Sequence, residues 1–337
     1  MTTLRPKPVS QDTHAMPQQM TLPDWLAELT RAGGVPSGLA SVAASMAAAS
    51  VEIAAILRTA PVAGQVGLVG RVNVQGEEQK QLDIISNDIV VKYLEQNPEI
   101  SILVSEELDE PLQFQNQGRY VVATDPLDGS SNLDVNVTVG TIFSILDAAG
   151  GLLQKGSAQL AAGYVAYGPA TSLVLSFGAS VVVFTLDADG RYVLTDTDVQ
   201  VSEASAEYAI NTARERFWDA ATKGYVAENV AGETGASGKR HNMRWVGSMV
   251  ADVHRILMRG GIFLYPLDSE TVSKGGRLRL LYEANPMAFL VEAAGGKATT
   301  GRERLLDVVP TGIHQRIPVI LGSAEEVGRV EAWYARG

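Results

Sequence analysis

The chain has 337 residues, with 27 Lys and Arg against 38 Asp and Glu, which gives a net charge of -11. Because 46% of the residues are hydrophobic and 19% are charged, the composition excludes a disordered or fibrous chain and indicates about two globular domains. The acidic balance argues against a nucleic-acid partner and an anionic membrane surface, since both require clustered positive charge. The absence of cysteine excludes disulfides, zinc–thiolate sites and a cysteine nucleophile.

The N-terminal region predicts a polar leader followed by helices. Residues 1–20 lack the apolar stretch of a secretory signal and are expected to be poorly ordered. A helix is predicted over Leu22–Arg31, and a second over the Ala-rich residues 38–57. This second segment contains Glu52 and few large apolar side chains, so it predicts a close-packed amphipathic helix rather than a membrane span. Its apolar face consists of Leu39, Val42, Met46, Ile53 and Ile56.

Residues 60–76 are Gly-rich and predict a mobile surface loop, and residues 82–95 return to helical spacing. From residue 101 to about 199 the pattern favours strands, with candidates at residues 102–104, 120–123, 137–146, 173–177 and 181–186. The polar residues 195–207 then mark a boundary between two α/β halves. We therefore predict an N-terminal domain over residues 21–200 and a C-terminal domain over residues 201–337.

The C-terminal half predicts further alternation of helices and strands. Helices are expected over Met249–Arg259, residues 279–294 and residues 324–335, with strands over Ile262–Tyr265 and residues 317–321.

One segment combines metal-binding oxygens with phosphate-binding donors. Asp125 and Asp128 directly follow the apolar residues 120–123, and Pro126 stiffens the turn between them. Both carboxylates and the Leu127 carbonyl can therefore converge on one hard cation. Residues 129–131 (Gly-Ser-Ser) add backbone N–H groups and hydroxyls suited to a phosphate. The alternative is an ordinary Asx/Gly turn; an EF-hand loop fails because Asn136 stands where its final Glu would be.

A second predicted strand also ends in acids, Glu106 and Glu107. Alone, these acids would be typical of a solvated loop. Two strand ends that deliver acids to one cleft favour a cation there, because converging like charges are costly. With Asp83 at the start of one helix and Glu283 in another, the sequence predicts a site for two or more Mg²⁺ ions.

Taken together, these residues resemble the class I fructose-1,6-bisphosphatase family. The resemblance begins at about residue 36 and is carried by residues 125–132 (DPLDGSSN), 140–143 (GTIF), 82–88 (LDIISND), 162–167 (AGYVAY), 246–255 (VGSMVADVHR), 278–287 (LRLLYEANPM) and 313–316 (IHQR). It implies an α/β fold of the sugar phosphatase type, layered α-β-α-β-α, with the active site between the two halves.

The resemblance also implies Mg²⁺-dependent hydrolysis of the C1 phosphate of fructose 1,6-bisphosphate, with Mn²⁺ as a second suitable ion. The implied metal ligands are Glu106, Asp125, the Leu127 carbonyl, Asp128, Glu283 and, on a loop that closes over the metals, Glu77. Asp83 and Glu107 would orient or deprotonate the attacking water. The 1-phosphate would be held by Asp128, Gly129, Ser130 and Ser131.

For the distal 6-phosphate and the sugar, the matching positions are Asn211, Arg244, Trp245, Tyr265 and Arg277. The family commonly has Tyr in place of Trp245 and Lys in place of Arg277. These departures keep sedoheptulose 1,7-bisphosphate open as an alternative substrate. Arg214, close to Asn211, is either a further phosphate contact or a surface charge.

The resemblance implies a cytoplasmic homotetramer, or at least a dimer, with Arg244 reaching a neighbouring active site. Many members bind AMP through an N-terminal motif that this chain lacks and through a basic residue where this chain has Asp147. We therefore expect AMP to inhibit weakly or not at all. The alternative from another class is a catalytically silent phosphosugar or metal sensor, which the complete set of acids disfavours.

Overall fold

In a computed structural model of the chain, the described residues are 20–64, 68–72 and 78–336. The predicted disordered leader lies outside the described residues, except for residue 20. Glu77, predicted as a metal ligand, lies outside them as well. The described residues form seven α-helices: α1 (Leu22–Arg31), α2 (Ser37–Ala63), α3 (Gln81–Glu95), α4 (Ala220–Ala231), α5 (Met249–Arg259), α6 (Asn285–Ala293) and α7 (Ala324–Tyr334).

The first half of the chain forms a small hairpin and a large sheet. The hairpin pairs β1 (Leu68–Val72) with β2 (Glu78–Lys80). The large sheet has the order β10-β9-β8-β7-β6-β5-β3-β4 and is antiparallel except for the pair β3–β5. Its strands are β3 (Ile100–Ser105), β4 (Leu112–Gln113), β5 (Tyr120–Asp128), β6 (Val139–Asp147), β7 (Ala161–Tyr167), β8 (Thr171–Ser176), β9 (Val181–Leu186) and β10 (Tyr192–Asp196).

The second half builds a sheet with the order β12-β11-β13-β17-β15, in which β11 lies parallel to both of its neighbours. A short pair, β14 with β16, completes the strands of this half. The bounds are β11 (Glu207–Ala209), β12 (Asn242–Met243), β13 (Ile262–Tyr265), β14 (Leu278–Arg279), β15 (Lys297–Thr299), β16 (Arg316–Ile317) and β17 (Val319–Gly322).

These elements stack in five layers. Helices α1, α2 and α3 cover one face of the large sheet, and α5 and α6 fill the space between the two sheets. Helices α4 and α7 cover the outer face of the second sheet. Because each sheet buries apolar side chains on both faces, the layered α-β-α-β-α fold predicted above is confirmed.

Helix α2 is the one described helix long and apolar enough to cross a bilayer, judged by length and composition alone. Over half of its most apolar window (56%) is buried inside the protein. Its predicted face packs into the core as expected, with Leu39, Val42, Met46 and Ile53 buried and Ile56 partly buried against them. Small Ala side chains let the helix lie close to its neighbours.

Two predictions about local structure were wrong. The connector at residues 60–76 is not simply a loop, because α2 continues to Ala63 and β1 begins at Leu68. Residues 279–294 are not one helix: Arg279 ends β14, a π-helical turn spans Leu280–Ala284, and α6 follows. Several of the described elements were not predicted at all, among them strands β7 and β10 and helix α4.

Candidate active site

A cleft of about 330 Å³ lies between the two halves, at the end of β5. Residues from both sheets and from the π-helical turn line it. It brings together most of the predicted site residues: Asp83, Glu106, Glu107, Asp125, Leu127, Asp128, Gly129, Ser130, Ser131, Asn211, Trp245, Tyr265, Arg277 and Glu283. Six further lining residues were not predicted as site residues: Gly247, Ser248, Met249, Phe263, Leu278 and Arg279.

Three carboxylates converge at one end of this cleft. One oxygen from each of Asp125, Asp128 and Glu283 lies within 4.8 Å of the others, and all three residues are buried. Asp125 and Asp128 come from the end of β5, where the strand pairing becomes irregular, and Glu283 comes from the π-helical turn. Such an all-oxygen set fits a hard divalent cation.

Burial and mutual repulsion perturb these acids. Removal from water, with the charges of Glu106, Asp128 and Glu283 nearby, raises the pKa of Asp125 well above its usual value. Burial likewise raises the pKa of Asp128 to about 6 and that of Glu283 to about 8. Since each pKa is raised because the charged form is disfavoured, a cation bound among these groups would stabilise their ionised forms.

Helix α5 anchors one of these carboxylates. The N–H of Val250 donates to Asp128 Oδ2 at 2.9 Å, and the Ser248 hydroxyl lies 3.3 Å from the same oxygen. Ser248 is the N-cap of α5 and also accepts a hydrogen bond from Ala251 N–H. The first turn of a helix in the second half of the chain therefore orients a carboxylate of the first half.

Strand pairing places the next two acids. The N–H of Glu106 donates to the Thr124 carbonyl at 3.1 Å, which extends the β3–β5 pairing to the residue before Asp125. The Ser105 hydroxyl donates to Asn87 Oδ1 at 2.7 Å and so ties this strand end to α3. Glu106 is therefore buried beside Asp125, and Glu107 lies half-buried at the cleft wall.

Arg279 is the basic group that the sequence analysis missed. Its guanidinium lies 2.7 Å from Glu106 Oε1 and 3.7 Å from Glu283 Oε2, and its backbone N–H donates to Glu283 Oε2 at 2.6 Å. In the sequence, Arg279 stands within the family-like residues 278–287 and four residues before Glu283, but neither feature assigned it a role. A buried Arg among buried acids compensates part of their charge, and it holds Glu283 toward the cleft.

A tight turn after β5 carries the predicted phosphate-binding residues. Gly129 has φ +77°, and a Cβ atom at this position would lie 2.9 Å from the Ser248 side chain. A short 3₁₀-helix, Ser130–Val135, follows directly. The turn needs glycine for its backbone conformation and for its close approach to α5, and it places Ser130 and Ser131 on the cleft wall.

The opposite wall is aromatic and polar. The Trp245 ring stacks on Phe263, with ring centroids 5.8 Å apart and an 8° angle between the planes. Tyr265 meets the edge of Trp245 at 5.7 Å. Asn211 and Arg277 also line the cleft. Stacking on Phe263 therefore fixes the orientation of Trp245, one of the two side chains that depart from the family pattern.

Two arginines considered from the sequence, Arg244 and Arg214, are not among the described residues that line the cleft. Arg244 does not line the cleft of its own chain; its side chain is half-exposed and pairs with Glu207 at 3.0 Å. Arg214 is neither a phosphate contact in the cleft nor a solvated surface charge. It is largely buried and pairs with Asp268 at 2.6 Å and with Glu270 at 2.9 Å.

The position where the resemblance implies a nucleotide-binding cation is also paired. Asp147 lies 2.9 Å from the guanidinium of Arg119, the one basic residue retained there. The N–H of Ala149 and the Arg119 side chain lower the pKa of Asp147 below its usual value, so it stays ionised. An anionic ligand at this position would have to displace that carboxylate.

The cleft lining therefore combines carboxylates that fit a divalent metal with amide, hydroxyl, aromatic and cationic groups. This arrangement is typical of a metal-dependent phosphatase acting on a small phosphorylated molecule.

Family comparisons then identify the particular phosphatase family. Models described as the N-terminal and C-terminal domains of fructose-1,6-bisphosphatase match residues 25–197 and 201–335. A class 1 fructose-1,6-bisphosphatase from Neisseria meningitidis serogroup A is 49% identical over 313 residues, which cover 91% of this chain and 97% of that protein. One from Methylobacillus flagellatus is 48% identical over 324 residues, which cover 94% and 98%.

A solved structure of the same family also matches this chain. The holo form of Leishmania major fructose-1,6-bisphosphatase superposes with a TM-score of 0.88 at 34% identity, covering 95% of this chain and all of that one. The chain belongs to the class 1 fructose-1,6-bisphosphatase family.

Proposed function

We propose that the protein hydrolyses the C1 phosphate of fructose 1,6-bisphosphate, releasing fructose 6-phosphate and phosphate, with Mg²⁺ as the cofactor. The observation that carries this proposal is the buried cluster of Asp125, Asp128 and Glu283 at one end of a cleft whose other end is lined by polar and aromatic groups. A bisphosphorylated sugar needs both ends, because its two phosphates lie at opposite ends of the molecule. The relatives named above favour the fructose substrate over sedoheptulose bisphosphate.

Within this proposal, Asp125, Asp128, Glu106, Glu283 and the Leu127 carbonyl would hold the metal. When bound, divalent ions neutralise the phosphate and lower the pKa of an attacking water. We propose two or more Mg²⁺ ions per subunit, with Mn²⁺ as a substitute, because all of the donor atoms are oxygens.

The other residues bind and orient the substrate and the attacking water. Asp83 and Glu107 line the cleft beside the carboxylate cluster, where either can accept the proton of an attacking water. Gly129, Ser130 and Ser131 would bind the 1-phosphate through the turn after β5. Asn211, Trp245, Tyr265 and Arg277 would bind the distal phosphate and the sugar at the far end.

The test is phosphate release from fructose 1,6-bisphosphate, with and without Mg²⁺, for the wild type and for Asp128→Asn. We expect Mg²⁺-dependent turnover that the variant loses. Asp187→Asn is the matched control, because Asp187 pairs with Arg191 at the surface outside the cleft. The absence of turnover on fructose 1,6-bisphosphate in the wild type would overturn the proposal, and binding without turnover would favour a sensor.

We also propose that the enzyme is a homotetramer, or at least a dimer, in which Arg244 enters a neighbouring cleft. Arg244 follows the exposed edge strand β12 and is half-exposed outside its own cleft, which supports this role. Coexpressed Arg244→Gln and Asp128→Asn subunits should bind substrate more tightly than Arg244→Gln alone. In the mixed oligomer, the cleft of the Arg244→Gln subunit would receive the intact Arg244 of its Asp128→Asn neighbour. No gain, or a monomer in light scattering, would contradict the proposal.

A cytoplasmic location is proposed on the chemistry of the substrate. A bisphosphorylated sugar carries charges that prevent it from crossing a bilayer, so its hydrolase is expected in the compartment where the sugar is made. Cell fractionation tests this expectation.

A further inference from the structure

The far end of the cleft is built on two neighbouring parallel strands. Strands β11 and β13 pair with Tyr208 opposite Ile262 and Ala209 opposite Phe263. Continued by two residues, this register places Asn211 opposite Tyr265. Both residues line the cleft, at the carboxyl ends of their strands. Their separation is therefore set by whatever holds these two strand ends together.

Beyond these strand ends, Arg214 lies in the 3₁₀-helical turn Thr212–Phe217 and pairs with Asp268 in the loop after β13. Arg214 Nε donates to Asp268 Oδ2 at 2.6 Å, and Nη2 donates to Oδ1 at 3.0 Å. This two-point pairing is the strongest geometry between Arg and a carboxylate. Their side chains are 16% and 3% exposed, so solvent screens the pair only weakly.

Arg214 and Asp268 each form further hydrogen bonds within their own loops. Asp268 Oδ1 accepts hydrogen bonds from the N–H of Glu270 at 3.0 Å and the N–H of Thr271 at 2.9 Å. On the other side, the N–H of Arg214 donates to the Asn211 carbonyl at 3.1 Å. A movement of the guanidinium would therefore be transmitted to the turn that begins at Asn211.

Two backbone contacts run beside the ion pair. The N–H of Ser269 donates to the Phe217 carbonyl at 3.1 Å, and Trp218 forms an isolated β-bridge with Asp268. The Asn211 side chain is itself held by its own turn, since its Oδ1 accepts from the N–H of Ala213 at 3.2 Å. These contacts connect the two loops at several points besides the ion pair.

We propose that Arg214 and Asp268 form a positioning pair that fixes the separation of Asn211 and Tyr265 and thereby sets affinity for the distal phosphate of the sugar bisphosphate. Neither residue of the pair is among the described residues that line the cleft, so the pair acts through the residues that do. The inference rests on the proposed function, because it assigns the distal phosphate to this end of the cleft. It makes Arg214 a determinant of specificity for substrates that carry a second phosphate.

The test compares probes for the two ends of the cleft in the wild type and in Arg214→Gln. Fructose 6-phosphate carries only the distal phosphate, whereas inorganic phosphate serves as the probe for the metal end. We expect the Kd of fructose 6-phosphate, measured by calorimetry with Mg²⁺ present, to rise ~10-fold, since displacements of about 1 Å in a positioned group have effects of this size or larger. The inhibition constant of inorganic phosphate should be unchanged. The KM for fructose 1,6-bisphosphate should rise while kcat stays near the wild-type value.

Two further variants keep the test decisive. Arg304→Gln removes a surface arginine that pairs with Glu292 and Asp307, and it should leave every constant unchanged. Arg214→Lys retains the charge but loses the planar fork. Arg214→Lys should raise the Kd of fructose 6-phosphate by less than Arg214→Gln does, and it should leave inhibition by inorganic phosphate unchanged. It replaces Arg214→Gln if that variant does not fold.

Equal weakening of fructose 6-phosphate and inorganic phosphate would overturn the positioning role, because it would indicate general loosening of the fold. An unchanged Kd for fructose 6-phosphate in a folded Arg214→Gln protein would overturn it as well. Failure of the proposed function is a separate result, since it would appear as a wild type that releases no phosphate from fructose 1,6-bisphosphate.

Discussion

Replacing Glu283 by Gln should stabilise the metal-free protein at alkaline pH and abolish its catalysis. Glu283 is 3% exposed, and its Oε2 accepts the Arg279 N–H at 2.6 Å. Glutamine has the same shape and can still accept that hydrogen bond through its amide oxygen. The change therefore removes a charge from the cluster with little change in packing.

The size and sign of the effect follow from the pKa of this carboxyl. Burial, with the charges of Glu106 and Asp128, raises the pKa of Glu283 from 4.5 to about 8. The unfolded chain loses this proton at lower pH than the folded chain. Stability due to the protonated group is therefore present below about pH 4.5 and is lost as the pH rises to about 8. The full loss corresponds to at most about 5 kcal/mol, at about 1.4 kcal/mol for each pH unit.

Urea unfolding with a chelator present measures this effect at about pH 5 and about pH 9. The difference in the free energy of unfolding, variant minus wild type, should rise by several kcal/mol between these two pH values. With Mg²⁺ added, the wild type should become more stable than the variant, because the ion binds the wild-type cluster more tightly than the cluster of the variant. A difference that stays constant with pH in the chelator would refute the reasoning.

Three further predictions concern the cleft and its regulation. Asp128→Asn should lower Mg²⁺-dependent kcat by at least ~10³-fold in a phosphate-release assay, because it removes a carboxylate from the metal cluster. Gly129→Ala should lower the free energy of unfolding by at least ~1 kcal/mol in urea titration, since the turn has φ +77° and Ser248 leaves no room for a Cβ. Micromolar AMP should leave the steady-state rate unchanged, because Asp147 pairs with Arg119 where a nucleotide phosphate would need free cations.

A specific result would contradict each of these three predictions. Wild-type turnover by Asp128→Asn would remove Asp128 from the set of essential metal ligands. A Gly129→Ala protein as stable as the wild type would mean that the turn adapts. Half-maximal inhibition at micromolar AMP would show that the Asp147–Arg119 pair opens to admit the nucleotide.

The acids of the cleft were predictable because their signals are local. Asp125 and Asp128 directly follow a run of apolar residues, and Glu106 follows another. The ends of neighbouring parallel strands meet at one edge of a sheet. The β3–β5 pairing then brings Glu106 beside Asp125, as the pattern indicates.

The basic partners were not predictable, because they depend on contacts between distant parts of the chain. Arg279 reaches Glu106 across 173 residues of sequence (279 − 106), and Arg214 reaches Asp268 across 54. Periodicity reports which face of an element is apolar, but it carries no information about which cation meets which acid.

Strand β7 was missed for a different reason. Its third residue is Gly163, which interrupts an apolar run and resembles a turn signal. In the structure, a Cβ at this position would lie 2.5 Å from the Phe143 ring of the neighbouring strand. The glycine is required by close packing between strands, which a single sequence cannot distinguish from a break.

The π-helical turn at Leu280–Ala284 makes the spacing of this segment as important as its composition. It lies between Arg279, which pairs with Glu106, and α6, whose Met287 and Leu290 are buried between the two sheets. Each residue of a helix turns the chain by about 100°. Loss of a single residue here would therefore rotate either Glu283 out of the cleft or α6 out of register with both sheets. A substitution in this turn changes one buried side chain, whereas a deletion would disrupt the carboxylate cluster and the core together.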